Sequence, residues 1–133
     1  MNTLNGEITT ITTEQSISLV KVLAQGHLFH SLVLDAPDTS PWLKEGAPIR
    51  VLFKETEVMI ALPPLHISVR NQLPCRITSI TRGAILCELT LSLTPQSTIR
   101  SIITRSACES LGLKENLDVI ALIKTNEVSL AHD

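Results

Sequence analysis

The chain has 133 residues, 44% of them hydrophobic and 18% charged, and its formal net charge is −2. This composition excludes a disordered chain, and the lack of an apolar run of about 20 residues argues against a membrane-spanning helix. There is no basic block, and the three aromatic residues are too few for stacking on bases, so direct binding of nucleic acid is not expected.

The sequence repeats itself at an offset of 69 to 70 residues. Three blocks match in the same order: Leu4–Ile11 with Leu73–Ile80, Leu43–Gly46 with Leu113–Asn116, and Phe53–Ala61 with Ile123–Ala131. Matched blocks in one order indicate tandem structural units. We therefore expect a first copy in residues 1–62, a second copy in residues 68–133, and a linker in residues 63–67 whose two prolines favour an extended conformation.

In both copies apolar residues alternate with polar ones and β-branched residues are frequent, which predicts short strands. The strands of the second copy are expected at Cys75–Thr81, Ile85–Leu93, Thr98–Ile103, Leu117–Lys124 and Glu127–Ala131, with a short helix at Ser106–Leu113. Gly46 and its counterpart Asn116 are expected in the left-handed region, which both residue types tolerate. This order predicts a mainly β fold of two tandem OB-like five-stranded barrels, each with one short helix, that depend on each other or on other chains for stability.

Neither the histidines nor the cysteines predict a metal site. His27 and His30 have the spacing of a metal-binding pair, but both fall in a predicted strand, where residues three apart point to opposite faces. Cys75, Cys87 and Cys108 are widely spaced and include no Cys-x-x-Cys pair, so we expect small buried residues rather than a zinc site or disulfides.

Groups suited to an anion are concentrated in the second copy. Residues 1–62 carry four basic and seven acidic side chains, whereas residues 68–133 carry seven basic and six acidic ones. Ser68–Gln72 combines a hydroxyl, a guanidinium and two amides just before a predicted strand. Thr104–Ser106 stands at the predicted start of the helix, where a hydroxyl serves either an anion or simply the N-cap.

A lysine occupies the same place in both copies. Lys124 lies near the end of a predicted strand, and its counterpart is Lys54. Such a lysine either contributes charge to an anion site or reaches solvent from the strand end, and the residues alone leave both readings open.

The second copy contains the motifs Ser68-Val69-Arg70-Asn71-Gln72, Arg82-Gly83-Ala84, Ile103-Thr104, Leu111-Gly112-Leu113-Lys114 and Ile123-Lys124. In this order they resemble the Mop family, whose members are also called molbindins or TOBE domains. The stretch from Asn71 to Pro74, followed by Arg82-Gly83-Ala84 and Cys87-Glu88, is particularly similar to the effector domain of the molybdate-responsive bacterial regulator. The resemblance spans the whole second copy and covers the first only weakly.

The resemblance implies an OB-like fold, a homo-oligomer (dimer or trimer), and molybdate or tungstate held at subunit or domain interfaces. The donors that it implies are Ser68, the Val69 backbone and Arg70 from one subunit, and Thr104 and Lys124 from another; the Asn71 amide is a further candidate. The serine expected three residues after Thr104 is Ala107 here, so Ser106 is expected to substitute for it. Lys54 is a weaker candidate, because the first copy lacks the other donors.

We therefore expect a molybdate-binding protein, and we expect it in the cytoplasm because no signal peptide is recognisable. We expect no catalytic residues, metal ion or cofactor, because no nucleophile motif or phosphate-binding loop is recognisable. Two forms of this function stay open. The chain stores or buffers the anion by itself, or it is the sensing module of a transcription regulator or of a molybdate transporter ATPase. Met1 begins almost directly on the first predicted strand, which favours the stand-alone form, whereas further residues upstream would favour the module.

Overall fold

A computed structural model describes residues 1–133 and contains ten strands, one α-helix and two single 3₁₀ turns. The first half comprises β1 (Asn2–Glu14), β2 (Ile17–Ala24), β3 (His27–Val33), β4 (Pro48–Phe53), a 3₁₀ turn (Glu55–Glu57) and β5 (Met59–Ala61). The second half comprises β6 (Asn71–Arg82), β7 (Leu86–Thr94), β8 (Ser97–Thr104), α1 (Arg105–Ser110), β9 (Asp118–Ile123), a 3₁₀ turn (Thr125–Glu127) and β10 (Ser129–Ala131). No helix has the length and apolar character that crossing a membrane requires.

The strands form two five-stranded antiparallel sheets that exchange their last strands. The strand orders are β10-β4-β1-β2-β3 and β5-β9-β6-β7-β8, so β5 of the first copy pairs with β9 and β10 of the second copy pairs with β4. The predicted mainly β fold with two five-stranded units is confirmed. Each sheet contains residues of both copies, so the division at residues 62 and 68 describes the sequence repeat and stays a prediction as a domain boundary.

Two equivalent serines join the last strand of each sheet to the exchanged segment. Ser31 Oγ in β3 donates to the Val128 carbonyl at 2.6 Å, and Ser101 Oγ in β8 donates to the Val58 carbonyl at 2.7 Å. Beneath these contacts, one cluster of 24 buried apolar residues runs through both halves of the chain. A unit of about 60 residues buries too little surface by itself, and the shared core supplies the missing burial.

The α-helix occurs only in the second copy, which corrects the prediction of one helix per barrel. Helix α1 ends before Gly112, whose φ of 63° interrupts the helical path earlier than predicted. In the first copy, the Ser40 N–H donates to the Ala36 carbonyl and closes a single turn. Pro41 follows and has no N–H to continue the ladder, so the segment remains a series of turns.

Several local predictions are confirmed. Gly46 and Asn116 both adopt the left-handed region, with φ of 84° and 69°. His27 and His30 lie in β3, at the spacing that separates their side chains to opposite faces. All three cysteines are buried and unpaired, and burial raises the pKa of the Cys75 thiol to about 11.

Candidate anion-binding site

Arg70 and Lys124 lie side by side at one end of the second sheet. Strands β6 and β9 pair from Asn71 and Ile123 onward, so the two basic residues that flank this pair leave the ladder together. Both are exposed, and neither forms an ion pair with a carboxylate. Two cations at the same strand end without a counter-charge create a positive field that favours an anion.

The segment Ser68–Arg70, just before β6, offers backbone donors beside these cations. None of its N–H groups donates a hydrogen bond to another backbone group, and the Ser68 hydroxyl is exposed. The segment is nevertheless held in place, because Gln72 Nε2 donates to the Val69 carbonyl at 2.8 Å. A restrained backbone with free N–H groups and a nearby positive charge is suited to an oxyanion.

The Asn71 side chain has a different partner from the one predicted. Asn71 is fully buried, its Oδ1 accepts from the His30 N–H at 2.7 Å, and its Nδ2 donates to the His30 carbonyl at 2.9 Å. Both ends of the amide are therefore engaged with the first copy. This corrects the expectation that the Asn71 side chain is free to donate to an anion.

Thr104 acts as the N-cap of α1, which is the alternative reading of the sequence. Its Oγ1 accepts from the Ala107 N–H at 3.1 Å, which leaves the hydroxyl proton available to another acceptor. Ser106 is exposed beside it. The neighbouring cation, Arg105, is engaged with Glu109 at 2.8 Å, so the helix start carries hydroxyls but no uncompensated charge.

Thr104 also faces the first copy across an apolar groove of about 590 Å³. The groove is lined on the first copy's side by Thr56, Val58, Met59 and Ile60. Neither Lys124 nor the segment Ser68–Arg70 lines it. The structure thus brings Arg70 and Lys124 together within one chain, whereas Thr104 and Ser106 lie on another part of the surface.

Lys54 stands among acidic groups, in contrast to Lys124. It is followed by Glu55, whose carboxylate pairs with the Met1 ammonium at 2.6 Å, whereas Lys124 is followed by Thr125. The hydrogen bond from this ammonium lowers the pKa of Glu55, which keeps the carboxylate charged. A cavity of about 200 Å³ beside Lys54 also includes Glu57 and Glu127 among its lining residues. The Met1 ammonium offsets the charge of Glu55, but Glu57 and Glu127 still leave the surroundings of Lys54 more negative than those of Lys124.

The pKa of His30 responds to the positive charge of Arg70. His30 pairs with Lys21 of β2 in the sheet, and its backbone is bound by Asn71, the residue after Arg70. Burial lowers the pKa of His30, and the charges of Arg70 and Lys21 lower it further. Burial and these positive charges therefore both favour the neutral imidazole.

Two roles in this region escaped sequence reasoning, namely the brace from Gln72 to Val69 and the contact of Asn71 with the first copy. A signal for the second was available. Asn71 and Asn2 occupy equivalent places in the repeat, although the first copy lacks the neighbouring anion donors. An identical residue in both copies, when only one copy has the site, indicates a role in the contact between them.

Fold and donor set together define the class: a protein of two strand-exchanged OB-like units with a cluster of donors suited to an oxyanion at one end. The model of the TOBE domain matches residues 67–130, which is the second copy. Molybdenum-pterin-binding protein 1 of Clostridium pasteurianum is 35% identical over 66 residues, which cover 50% of this chain and 97% of that protein. The chain therefore belongs to the family of molybdenum-pterin-binding (Mop) proteins, as the sequence motifs indicated.

Two further comparisons concern a longer relative and a solved structure of about the same length. The molybdenum-pterin-binding protein MopA of Rhodobacter capsulatus is 37% identical over 67 residues, and the matched part spans only 25% of its length. The cytoplasmic molybdate-binding protein ModG, in a crystal form with molybdate bound, superposes with a TM-score of 0.90 at 26% identity, covering 98% of this chain and 94% of that one. The tandem arrangement of the whole chain is thus shared with a solved structure.

Proposed function

We propose that the chain binds molybdate or tungstate in the cytoplasm and serves to store and buffer molybdenum. The observation that carries the proposal is the pair of uncompensated cations, Arg70 and Lys124, beside the free N–H groups of Ser68–Arg70. It is supported by the similarity to ModG, a cytoplasmic molybdate-binding protein, and to the molybdenum-pterin-binding relatives. Binding rather than catalysis is proposed, because the cluster contains donors and charge but no nucleophile paired with a base.

The chemistry of the donors favours a fully deprotonated anion. A tetrahedral dianion that leaves water needs several convergent donors and positive charge, and the side-chain groups of Ser68, Arg70 and Lys124 are all of this kind. Hydrogen phosphate carries a proton and needs an acceptor, whereas Arg70 and Lys124 only donate and the Ser68 hydroxyl is the one acceptor among these side chains. Sulfate has no proton and is smaller than molybdate, so its rejection would rest on size.

Thr104 and Ser106 enter the proposal through a second molecule. They lie apart from Arg70 and Lys124 in one chain, so their hydroxyls reach the anion only if another copy of the chain places them there. We therefore propose a homo-oligomer, dimer or trimer, in which one chain contributes Ser68–Arg70 and Lys124 and its neighbour contributes Thr104. This differs from the allocation that the resemblance implies, in which Thr104 and Lys124 come from the same subunit.

A second candidate is a sensing module of a molybdate-responsive transcription regulator or of a transporter ATPase. It is favoured by the match to MopA, in which the shared part is only 25% of the protein. Both candidates use the same anion site. They differ in what a deletion of the gene changes: the molybdenum content of the cell for a storage protein, or the regulation of molybdate uptake for a sensor.

The shared part of the proposal is tested by calorimetric titration of the purified chain with molybdate, tungstate, sulfate and phosphate. We expect heat and saturation with the first two and much weaker binding of the others. Absence of heat with both metal oxyanions would contradict the proposed function, whatever the cellular role.

A further inference from the structure

We propose that Asn71 is a positioning residue that couples anion binding in the second copy to strand β3 of the first. The inference rests on the proposed function, because it assumes that Ser68–Arg70 holds the oxyanion. It goes beyond that function in assigning a coupling role to a side chain whose own amide is fully engaged elsewhere.

The geometry of the contact makes Asn71 a two-point clamp. Its amide binds both the N–H and the carbonyl of His30, at 2.7 and 2.9 Å, as a neighbouring strand would. His30 lies within β3, the edge strand of the first sheet, so the clamp occupies backbone groups that have no strand on that side. Asn71 is fully buried, and loss of its amide would leave these groups without their partner.

The clamp is covalently continuous with the proposed anion-binding segment. Arg70 directly precedes Asn71, and Gln72, directly after it, holds the Val69 carbonyl at 2.8 Å. The backbone of Val69 and Arg70 is therefore fixed at two points, by Gln72 and by the clamp on His30. Loosening the clamp would free the N–H groups that must converge on the anion, and an anion that orders those groups would tighten the clamp.

The repeat supplies a matched control within the same chain. Asn2 makes the same clamp on Arg100 of β8, with Nδ2 to the carbonyl at 2.9 Å and the N–H to Oδ1 at 2.8 Å. The residue before Asn2, however, is Met1, which has no guanidinium like that of Arg70 and whose backbone nitrogen pairs with Glu55. The two clamps are therefore alike in hydrogen bonding, but only the clamp of Asn71 adjoins the anion donors.

The test compares Asn71→Ala with Asn2→Ala in the full chain. Both variants lose two hydrogen bonds between the copies, so we expect similar decreases in Tm. Only Asn71→Ala is expected to lose molybdate affinity, by about tenfold or more, measured by calorimetry. If Asn71→Ala does not fold, the milder pair Asn71→Ser and Asn2→Ser, which keeps a short polar group, is compared in the same way.

A second readout separates coupling from simple stabilisation. In the wild-type chain, saturating molybdate is expected to slow hydrogen exchange of the His30 amide by about tenfold or more, while the Arg100 amide changes much less. A general stabilisation would slow both amides equally.

The outcomes distinguish the two levels of the proposal. If the wild-type chain binds molybdate but both variants bind equally well, or both amides respond alike, the positioning role of Asn71 is overturned and the proposed function stands. If the wild-type chain binds no molybdate, the proposed function fails and the inference fails with it.

Discussion

Lys54 and Lys124 hold equivalent places in the two copies, but their neighbours differ in charge. Glu55 follows Lys54, whereas Thr125 follows Lys124. An exposed lysine contributes to an anion site only where nearby carboxylates do not cancel its field. The asymmetry between the copies therefore comes as much from the acids around Lys54 as from the missing donors.

This difference leads to a prediction for the two lysines. Lys124→Ala is expected to weaken molybdate binding by roughly thirtyfold, since removing a charged hydrogen bond costs about 2 kcal/mol. Lys54→Ala is expected to have much less effect, and Thr125→Glu, which places a carboxylate beside Lys124, is expected to weaken binding in the same direction as Lys124→Ala. Calorimetric titration of the three variants measures this, and equal losses for the two lysines would mean that the first copy also binds the anion.

A second prediction concerns pH and His30. Burial and the charges of Arg70 and Lys21 lower the pKa of His30 in the folded chain, below its ordinary value of 6.5. As pH falls through 6.5, the unfolded chain binds a proton at His30 before the folded chain does, so the free energy of unfolding decreases. We expect His30→Gln to lose less stability than the wild type between about pH 7 and about pH 5, as measured by urea unfolding.

The control for this effect is built into the comparison, because the other three histidines are present in both proteins. Parallel pH dependence in the wild type and the variant would show that His30 titrates normally. In that case neither burial nor the charges of Arg70 and Lys21 lower the pKa of His30.

At the residue level, the sequence predicted which residue types lie at the candidate site better than it predicted which groups their side chains contact. Arg70 and Lys124 were identified from motifs, and strand register places them together. The role of Asn71 was misjudged, because an amide before a strand is equally suited to an anion and to a backbone clamp. Which of these it meets depends on the approach of the other copy, which no local pattern encodes.

At the level of elements, alternation of apolar and polar residues predicted where strands occur but not which strands pair. The period-two pattern identifies the face that is buried, and it is the same whether a strand pairs within its own copy or across to the other. β5 and β10 are only three residues long, and each follows a 3₁₀ turn before it pairs with a strand of the other copy. The absence of a helix from the first copy could have been predicted, because Pro41 interrupts it. The comparison with the second copy nevertheless led us to expect a helix in both.

At the level of the whole molecule, the exchange makes the two copies a covalent version of a dimer. Each sheet takes one strand from the other copy, the cores merge, and the Asn2 and Asn71 clamps repeat the same contact in both directions. Joining the copies in one chain allows them to differ, so that one can carry the proposed anion donors while the other provides structural contacts.

This arrangement leads to a prediction for the second copy expressed alone. A fragment of residues 68–133 lacks β5, so the edge of β9 is open, and its own β10 has no β4 to pair with. We expect two such fragments to exchange β10 and form a dimer, with a Tm that rises with protein concentration. Light scattering after gel filtration measures the mass, and a folded monomer would contradict the need for exchange. Residues 68–128, which lack β10, are expected to remain unfolded.

The fragment dimer would have an Arg70–Lys124 pair at both ends and no Glu55. If Ser68–Arg70 and Lys124 suffice to hold the anion, the dimer is expected to bind about twice as many anions as the full chain for the same number of residues.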